Sequence, residues 1–411
     1  MAYDFDKTVN RRGTNCYKYD EMPNDDTIAL WVADMDFETA PCVQQALRQR
    51  MEHGCFGYTL VPDSFYQATI DWFAHRHGWH GIEREWMLYT SGVVPAVSAI
   101  IKAVTKPGDK VLVQTPAYNC FYSSIKNNGC EVVEEPLINW DYSSSNGITT
   151  TYHESFYQIN LNYFEHLCAQ PDVKVFLLCN PHNPTGRVWS EYELREMGEI
   201  CKRHGVFVIA DEIHCEFVNH KLMRNPIHGN GMDELYPKYH PFMAVSDAPC
   251  AVCLSPSKAF NIAGLQIANI IIKDDSVRRR VNRAININEV CDVNPFGVIA
   301  LQAAYTEEGE AWLNELNDYI YGNYQFAKVY IEEHLPQWNV TTLEGTYLMW
   351  VCVDEDADAL CQRLLQEANV YINSGTMYDH SPAGRHYIRI NLATQRARLE
   401  EGLRRIKELK K

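Results

Sequence analysis

The stretch SPSKAFNIAG, Ser255 to Gly264, places an amine, Lys258, among hydroxyls at the end of an apolar run, AVCL (Ala251–Leu254). Alone it reads equally well as a surface turn, because Ser-Pro marks turns and most lysines stay exposed. Other apolar runs also end on polar clusters. VKVFLLC (Val173–Cys179) leads into NPHNPTG with Asn183, and VFVIA (Val206–Ala210) leads into DEIH with Asp211 and His214. VLVQ leads into TPAY with Tyr118, and TSGVVPAVSAII sets Ser91 and Gly92 where a helix begins. An amine, a carboxylate, hydroxyls and helix-start amides together can hold an anionic carbonyl compound and move protons on it.

This set fits pyridoxal 5′-phosphate. Lys258 supplies the amine for a Schiff base. Asp211 is the carboxylate that keeps the pyridine nitrogen protonated as an electron sink. Ser91, Gly92, Val93, Ser255 and Ser257 offer hydroxyls and backbone N–H groups to the phosphate. Tyr118 can stack on the ring, and Asn183 can donate to its phenolic oxygen. Each residue has a plainer reading: Asp211 as a helix cap, Tyr118 as core, NPTG as a β-turn, Ser91-Gly92 as a cap. Jointly these are weak, because every group follows a strand of one sheet, and open α/β sheets bind ligands beyond their strand ends.

The elements that position them alternate. Lys110–Gln114, Val173–Cys179 and Val206–Ala210 read as buried strands. Between the last two, Ser190 and Glu193 form a capping box, Leu194, Met197 and Cys201 share one helix face, and Gly205 ends the helix. That is a β-α-β unit with a parallel sheet. AVCL and ANIIIK (Ala268–Lys273) add strands, so residues 46–285 are expected to form a large α/β domain. A long helical stretch over about 298–334, TYLMWVCV, a helix near 357–368, YIRINL and a closing helix from about 395 give a smaller α+β domain, which also takes residues 1–45. The polar segment 139–160 reads as a loop or exposed hairpin.

Composition narrows the partners. The 411 residues exceed what one core usually serves, and 46% apolar with 22% charged residues is ordinary for a soluble chain. A net charge of −16 argues against nucleic acid, and a polybasic membrane patch is absent. No run of 18 apolar residues and no apolar N-terminal region occur. Fourteen scattered cysteines then point to a reducing cytoplasm. Cys250 and Cys253 lack a second pair, and His75, His77 and His80 sit around a helix end marked by Gly78, so no metal site is expected.

NPHNPTG, ADEIH and SPSKAFNIAG resemble the motifs of fold-type I pyridoxal-phosphate enzymes, the aspartate aminotransferase superfamily, in order along nearly the whole chain. FDKTVNRRGTN, LWVADMDF, GYT, TSGVVPA, TPAYNCFY and GTYLMW more narrowly resemble the MalY/PatB group of carbon–sulfur β-lyases. The resemblance implies a homodimer with shared active sites, Tyr58 reaching the neighbouring subunit's cofactor phosphate. It implies that Arg389, in YIRINL, binds the substrate α-carboxylate, a role its planar fork suits. It implies β-elimination on an amino acid such as cystathionine, cysteine or another thioether, giving pyruvate, ammonia and a thiol. Two departures stand out. Gln266 occupies the place where many aminotransferases carry a phosphate-binding arginine, and His214 the place where many carry a tyrosine near the phenolic oxygen. The rival readings are an aminotransferase using the same site and a lyase with a second, regulatory binding role, as the MalY resemblance allows.

Overall fold

The buried runs become the strands of a seven-stranded sheet in a computed structural model that describes residues 2–141, 155–224, 235–289 and 291–410. In chain order they are β1 (Met87–Thr90), β2 (Lys110–Thr115), β3 (Glu131–Pro136), β4 (Val173–Cys179), β5 (Phe207–Asp211), β6 (Cys250–Leu254) and β7 (Ala268–Ile271). The spatial order is β1-β7-β6-β5-β4-β2-β3, and only β7 runs antiparallel to its neighbours. The carboxyl ends of β1, β2, β4, β5 and β6 therefore lie along one edge of the sheet. β7 starts at that edge, with Ala268 opposite Thr90 and Asn269 opposite Leu254.

Helices cover both faces, and the apolar side chains form two large clusters. The helix Glu191–His204 shows the local logic. Ser190 Oγ accepts from the Glu193 amide at 3.2 Å, the Glu193 carboxylate accepts from the Ser190 amide at 2.9 Å, and Gly205 ends the helix in a left-handed conformation. Its Leu194, Met197 and Cys201 are buried, as their spacing predicts.

A second sheet of four antiparallel strands is ordered Asn339–Val340, Leu348–Cys352, Tyr387–Asn391, Asn373–Ser374. Near the N-terminus, Ile28–Ala29 pairs in parallel with Val370–Tyr371, which ties the first residues to the C-terminal part. No helix among the described residues is long and apolar enough to cross a membrane.

Two expectations are corrected. The stretch 298–334 is two helices, Pro295–Ala304 and Glu307–His334. Thr306 Oγ1 accepts from the Gly309 amide at 3.2 Å and restarts the chain as a new helix, and a Cβ on Gly309 would collide with the Ala304 carbonyl. Segment 139–160 carries the antiparallel pair Ile138–Asp141 and Ser155–Gln158, as a hairpin would, but the second strand is buried rather than exposed. The Tyr157 hydroxyl accepts from the Trp350 indole at 3.0 Å, which anchors it; residues 142–154 lie outside the described residues.

Glu135 on β3 is a buried carboxyl whose Oε2 accepts from Gln114 at 3.1 Å and whose Oε1 has no partner among the described residues. Burial pushes its pKa from 4.5 up to about 8. A carboxyl raised in the folded state contributes full stability below its unfolded pKa and loses it as pH climbs through the folded value. The chain should therefore lose urea resistance between about pH 5 and about pH 8, and Glu135→Gln should flatten that loss. Urea midpoints across the window check this; an equally steep decline in the variant would contradict it.

Candidate active site

Five loops meet at the carboxyl edge of the large sheet around a cavity of about 270 Å³. Lys258, Asp211, Tyr118, Asn183, His214, Ser257, Gly92 and Val93 all line it. Parallel pairing brings them together: Asp211 closes β5, Asn183 follows β4, Tyr118 follows β2 and Lys258 follows β6. Gly92 has φ of 150°, a conformation that side chains rarely permit, and it turns β1 into the helix Val93–Val104. The first-turn amides of that helix have no intrahelical acceptor and open at the cavity beside Val93 and Val94.

Three titratable groups are tuned by burial. It pushes Asp211 up to about 6, against the opposing Ile213 amide and Lys258 charge. It pulls His214 down to about 3, helped by Lys258 and Arg389, so the imidazole is neutral. Burial also holds the Lys258 amine below its usual range, while Asp34 and Asp211 pull the other way and Arg389 adds to the lowering. A less basic amine is a better nucleophile and base near neutral pH. Lys258 Nζ donates to the Ala33 carbonyl at 2.7 Å.

Arg389 sits behind Asn183, on the strand Tyr387–Asn391. It is buried, with Nη1 donating to Asn183 Oδ1 at 3.1 Å and Nη2 to the Trp31 carbonyl at 3.0 Å. Its guanidinium lies 4.4 Å from the centre of the Tyr378 ring, and its Nε has no partner among the described residues. A buried cation held only by neutral acceptors is ready for an anion.

Other residues take different places. Ser91 is not part of the cavity wall. Ser255 Oγ donates to the Ile267 carbonyl and accepts from the Ser257 amide at 3.1 Å, so it shapes the loop that presents Ser257. Tyr58 is fully exposed, away from the cavity of its own chain. Gln266 does line the cavity, its Nε2 bound to the Ala263 carbonyl at 2.8 Å. Sequence reasoning missed Trp31 and Ala33, which act through backbone carbonyls. Their segment is pinned by Arg11 on Asp34 at 2.6 Å, by buried Lys18 on Asp36 at 3.0 Å and by Asn391 on the Val32 carbonyl at 2.7 Å. Cys179, read as the end of a buried strand, and Ile213 also form part of the wall.

The family model for class I and II aminotransferases matches residues 25–406. The chain belongs to that family. Within it, the chain is 36% identical to the cystathionine β-lyase PatB of Bacillus subtilis, over 98% of this chain and 99% of PatB. It is 32% identical to protein MalY of Escherichia coli, over 98% and 97%. The solved pyridoxal-phosphate-bound C–S lyase of Staphylococcus hominis superposes with a TM-score of 0.84 at 32% identity, covering 98% of each chain. The family's fold-type I architecture is the one described above. The cavity suits a planar anionic cofactor. It offers one amine, one buried carboxyl and helix-start amides, and beside them His214 Nδ1 is buried without a partner among the described residues.

Proposed function

We propose that this chain cleaves the carbon–sulfur bond of cysteine thioethers such as cystathionine, releasing pyruvate, ammonia and a thiol. It is a pyridoxal-phosphate-dependent β-lyase acting on a small amino acid. The observation that carries this reading is Lys258 and Asp211 facing one cavity with buried Arg389 behind it. Lyase relatives that match along 98% of the chain support it.

Bound pyridoxal 5′-phosphate supplies an electron sink for the pair left when the substrate Cα–H bond breaks. Lys258 holds the cofactor, and once displaced by substrate its Nζ takes the Cα proton. Asp211 keeps a negative charge against the ring nitrogen, which draws its carboxyl back to the ionised form. Asn183 and neutral His214 would serve the ring's phenolic oxygen, and Tyr118 would cover the ring. Ser257 and the Gly92–Val93 amides take the phosphate, with Ser91 and Ser255 supporting those two loops; Gln266 contributes no charge. Arg389 takes the α-carboxylate and turns the Cα–H bond toward Lys258. A thiolate at Cβ is a good leaving group, so elimination needs no second substrate. Supplying a panel of thioethers while following free thiol and pyruvate tests the reading. Equal yields are expected, and pyruvate without thiol would overturn it.

The reading includes a large cofactor-binding lobe of residues 46–285 and a small lobe of 1–45 and 286–411. It also places the enzyme in the cytoplasm, where its fourteen free cysteines stay reduced. Its active unit is a homodimer. Phe56, Tyr58 and Leu60 lie exposed in a segment without helix or strand, and a second copy would cover them and receive the Tyr58 hydroxyl at its phosphate. Tyr58→Phe should loosen the cofactor. Mixed dimers of Tyr58→Phe and Lys258→Ala subunits should exceed the activity of either parent at limiting cofactor, because one site per dimer is intact. No recovery, with subunit exchange verified, would refute sharing.

A further inference from the structure

A second cavity, of about 490 Å³, lies outside the site described above. It is walled by the end of the helix Asp63–His77, by the turn after β5, and by Glu310 and Asn314 of the helix Glu307–His334. At its base, His77, Cys215 and Glu216 bring an imidazole nitrogen, a thiol sulfur and a carboxylate oxygen within 4.8 Å of one another. We infer that these three side chains form a binding site for a single divalent zinc-like cation, with its fourth position open to the cavity.

Nitrogen, sulfur and oxygen donors in this mixture suit a borderline-soft ion that accepts tetrahedral geometry. The present contacts already approximate the edges of such a tetrahedron. His77 Nε2 is 3.0 Å from Glu216 Oε1, and Cys215 Sγ is 3.9 Å from the same oxygen. Aromatic rings fix the imidazole, with Phe73 at 5.1 Å and Tyr239 at 4.9 Å. Trp72 Nε1 donates to Glu216 Oε1 at 2.7 Å and Arg76 Nε to Oε2 at 2.6 Å, so the carboxylate is oriented without the ion. Binding replaces two contacts, those of His77 Nε2 and of the Cys215 thiol with Glu216 Oε1. His77 moves its proton from Nε2 to Nδ1, the ion takes the lone pair that the imidazole N–H occupied, and Cys215 releases its thiol proton to water.

The charges balance. The thiolate and Glu216 neutralise a divalent ion, while Arg76 stays paired with Glu310 at 2.9 Å. Exposed His220 lines the same cavity and can face the open position. Cys215 and Glu216 directly follow His214, yet they face this cavity while His214 faces the other. An ion here therefore clamps the turn that carries His214 and takes no part in the chemistry.

The test is calorimetric titration of chelator-treated holoenzyme with Zn²⁺, followed by Co²⁺ loading. One ion per chain should bind, and Cys215→Ser and His77→Gln should each weaken it by about 100-fold or more, since loss of an outer partner alone costs 10–100-fold. The Co²⁺ holoenzyme should show intense tetrahedral bands in the red, clear of the cofactor's absorption, with thiolate character. That spectrum uses the native chain, so it decides the matter even where a variant fails to fold. Zinc binding that ignores both substitutions, or cobalt bands of a six-coordinate ion without sulfur, would overturn the site. Neither readout depends on lyase activity.

Discussion

Lys258→Ala releases pyruvate from cystathionine at a rate lowered by about four powers of ten or more, while the chain still folds and binds the cofactor weakly. The loss is large because one Nζ both holds the cofactor and carries the Cα proton. The side chain's hydrogen bond to the Ala33 carbonyl leaves its amine free to serve both roles once the cofactor enters. Alanine removes nothing that supports the sheet, since Lys258 lies beyond the end of β6. Borohydride reduction of the native holoenzyme followed by peptide mapping checks the assignment. The label should fall on the peptide containing Lys258; a label on another lysine would refute it.

Arg389→Ala lowers kcat/KM for cystathionine by about 10²–10³, because misplacement of the reacting bond by an ångström already costs about 10²-fold. The guanidinium is fixed from three sides, by Asn183, by the Trp31 carbonyl and by the Tyr378 ring face. Arg389→Lys should recover little, because an ammonium cannot present the same planar fork. A substrate amide separates carboxylate binding from general loss of structure. It should be poor for the native enzyme and should suffer little further from Arg389→Ala. An equal fall on both substrates would make the arginine a structural residue only.

The Arg389 site also marks where the sequence is legible and where it is not. The positions of Lys258 and Asp211 could be read because each follows a β-branched or apolar run that is buried on both faces, as parallel strands are. The capping box at Ser190 and Glu193 was equally plain, since the interaction is local. Trp31 and Ala33 were not legible, because a backbone carbonyl leaves no mark of residue type and its partners lie hundreds of positions away. Gln266 was read from a motif position; what brings it to the cavity is the reversed direction of β7, a property of pairing rather than of composition. The break at Thr306 had a visible signal, a threonine followed by Glu307, Glu308 and Glu310, which the surrounding helical pattern masked. The histidines around Gly78 gave no metal spacing, because the thiol and carboxylate near His77 come from a distant turn.

Transamination and β-elimination begin with the same proton removal from Cα, so the fold alone does not choose between them. They part over whether a proton is delivered back to the cofactor or a thiolate departs from Cβ. The most direct measurement is therefore the number of pyruvate molecules each site forms from cystathionine with no keto acid present. Sustained turnover far beyond one per site, with ammonia equal to pyruvate, is the predicted result. A halt after one turnover per site, relieved only by an added keto acid, would contradict the account and make the chain an aminotransferase.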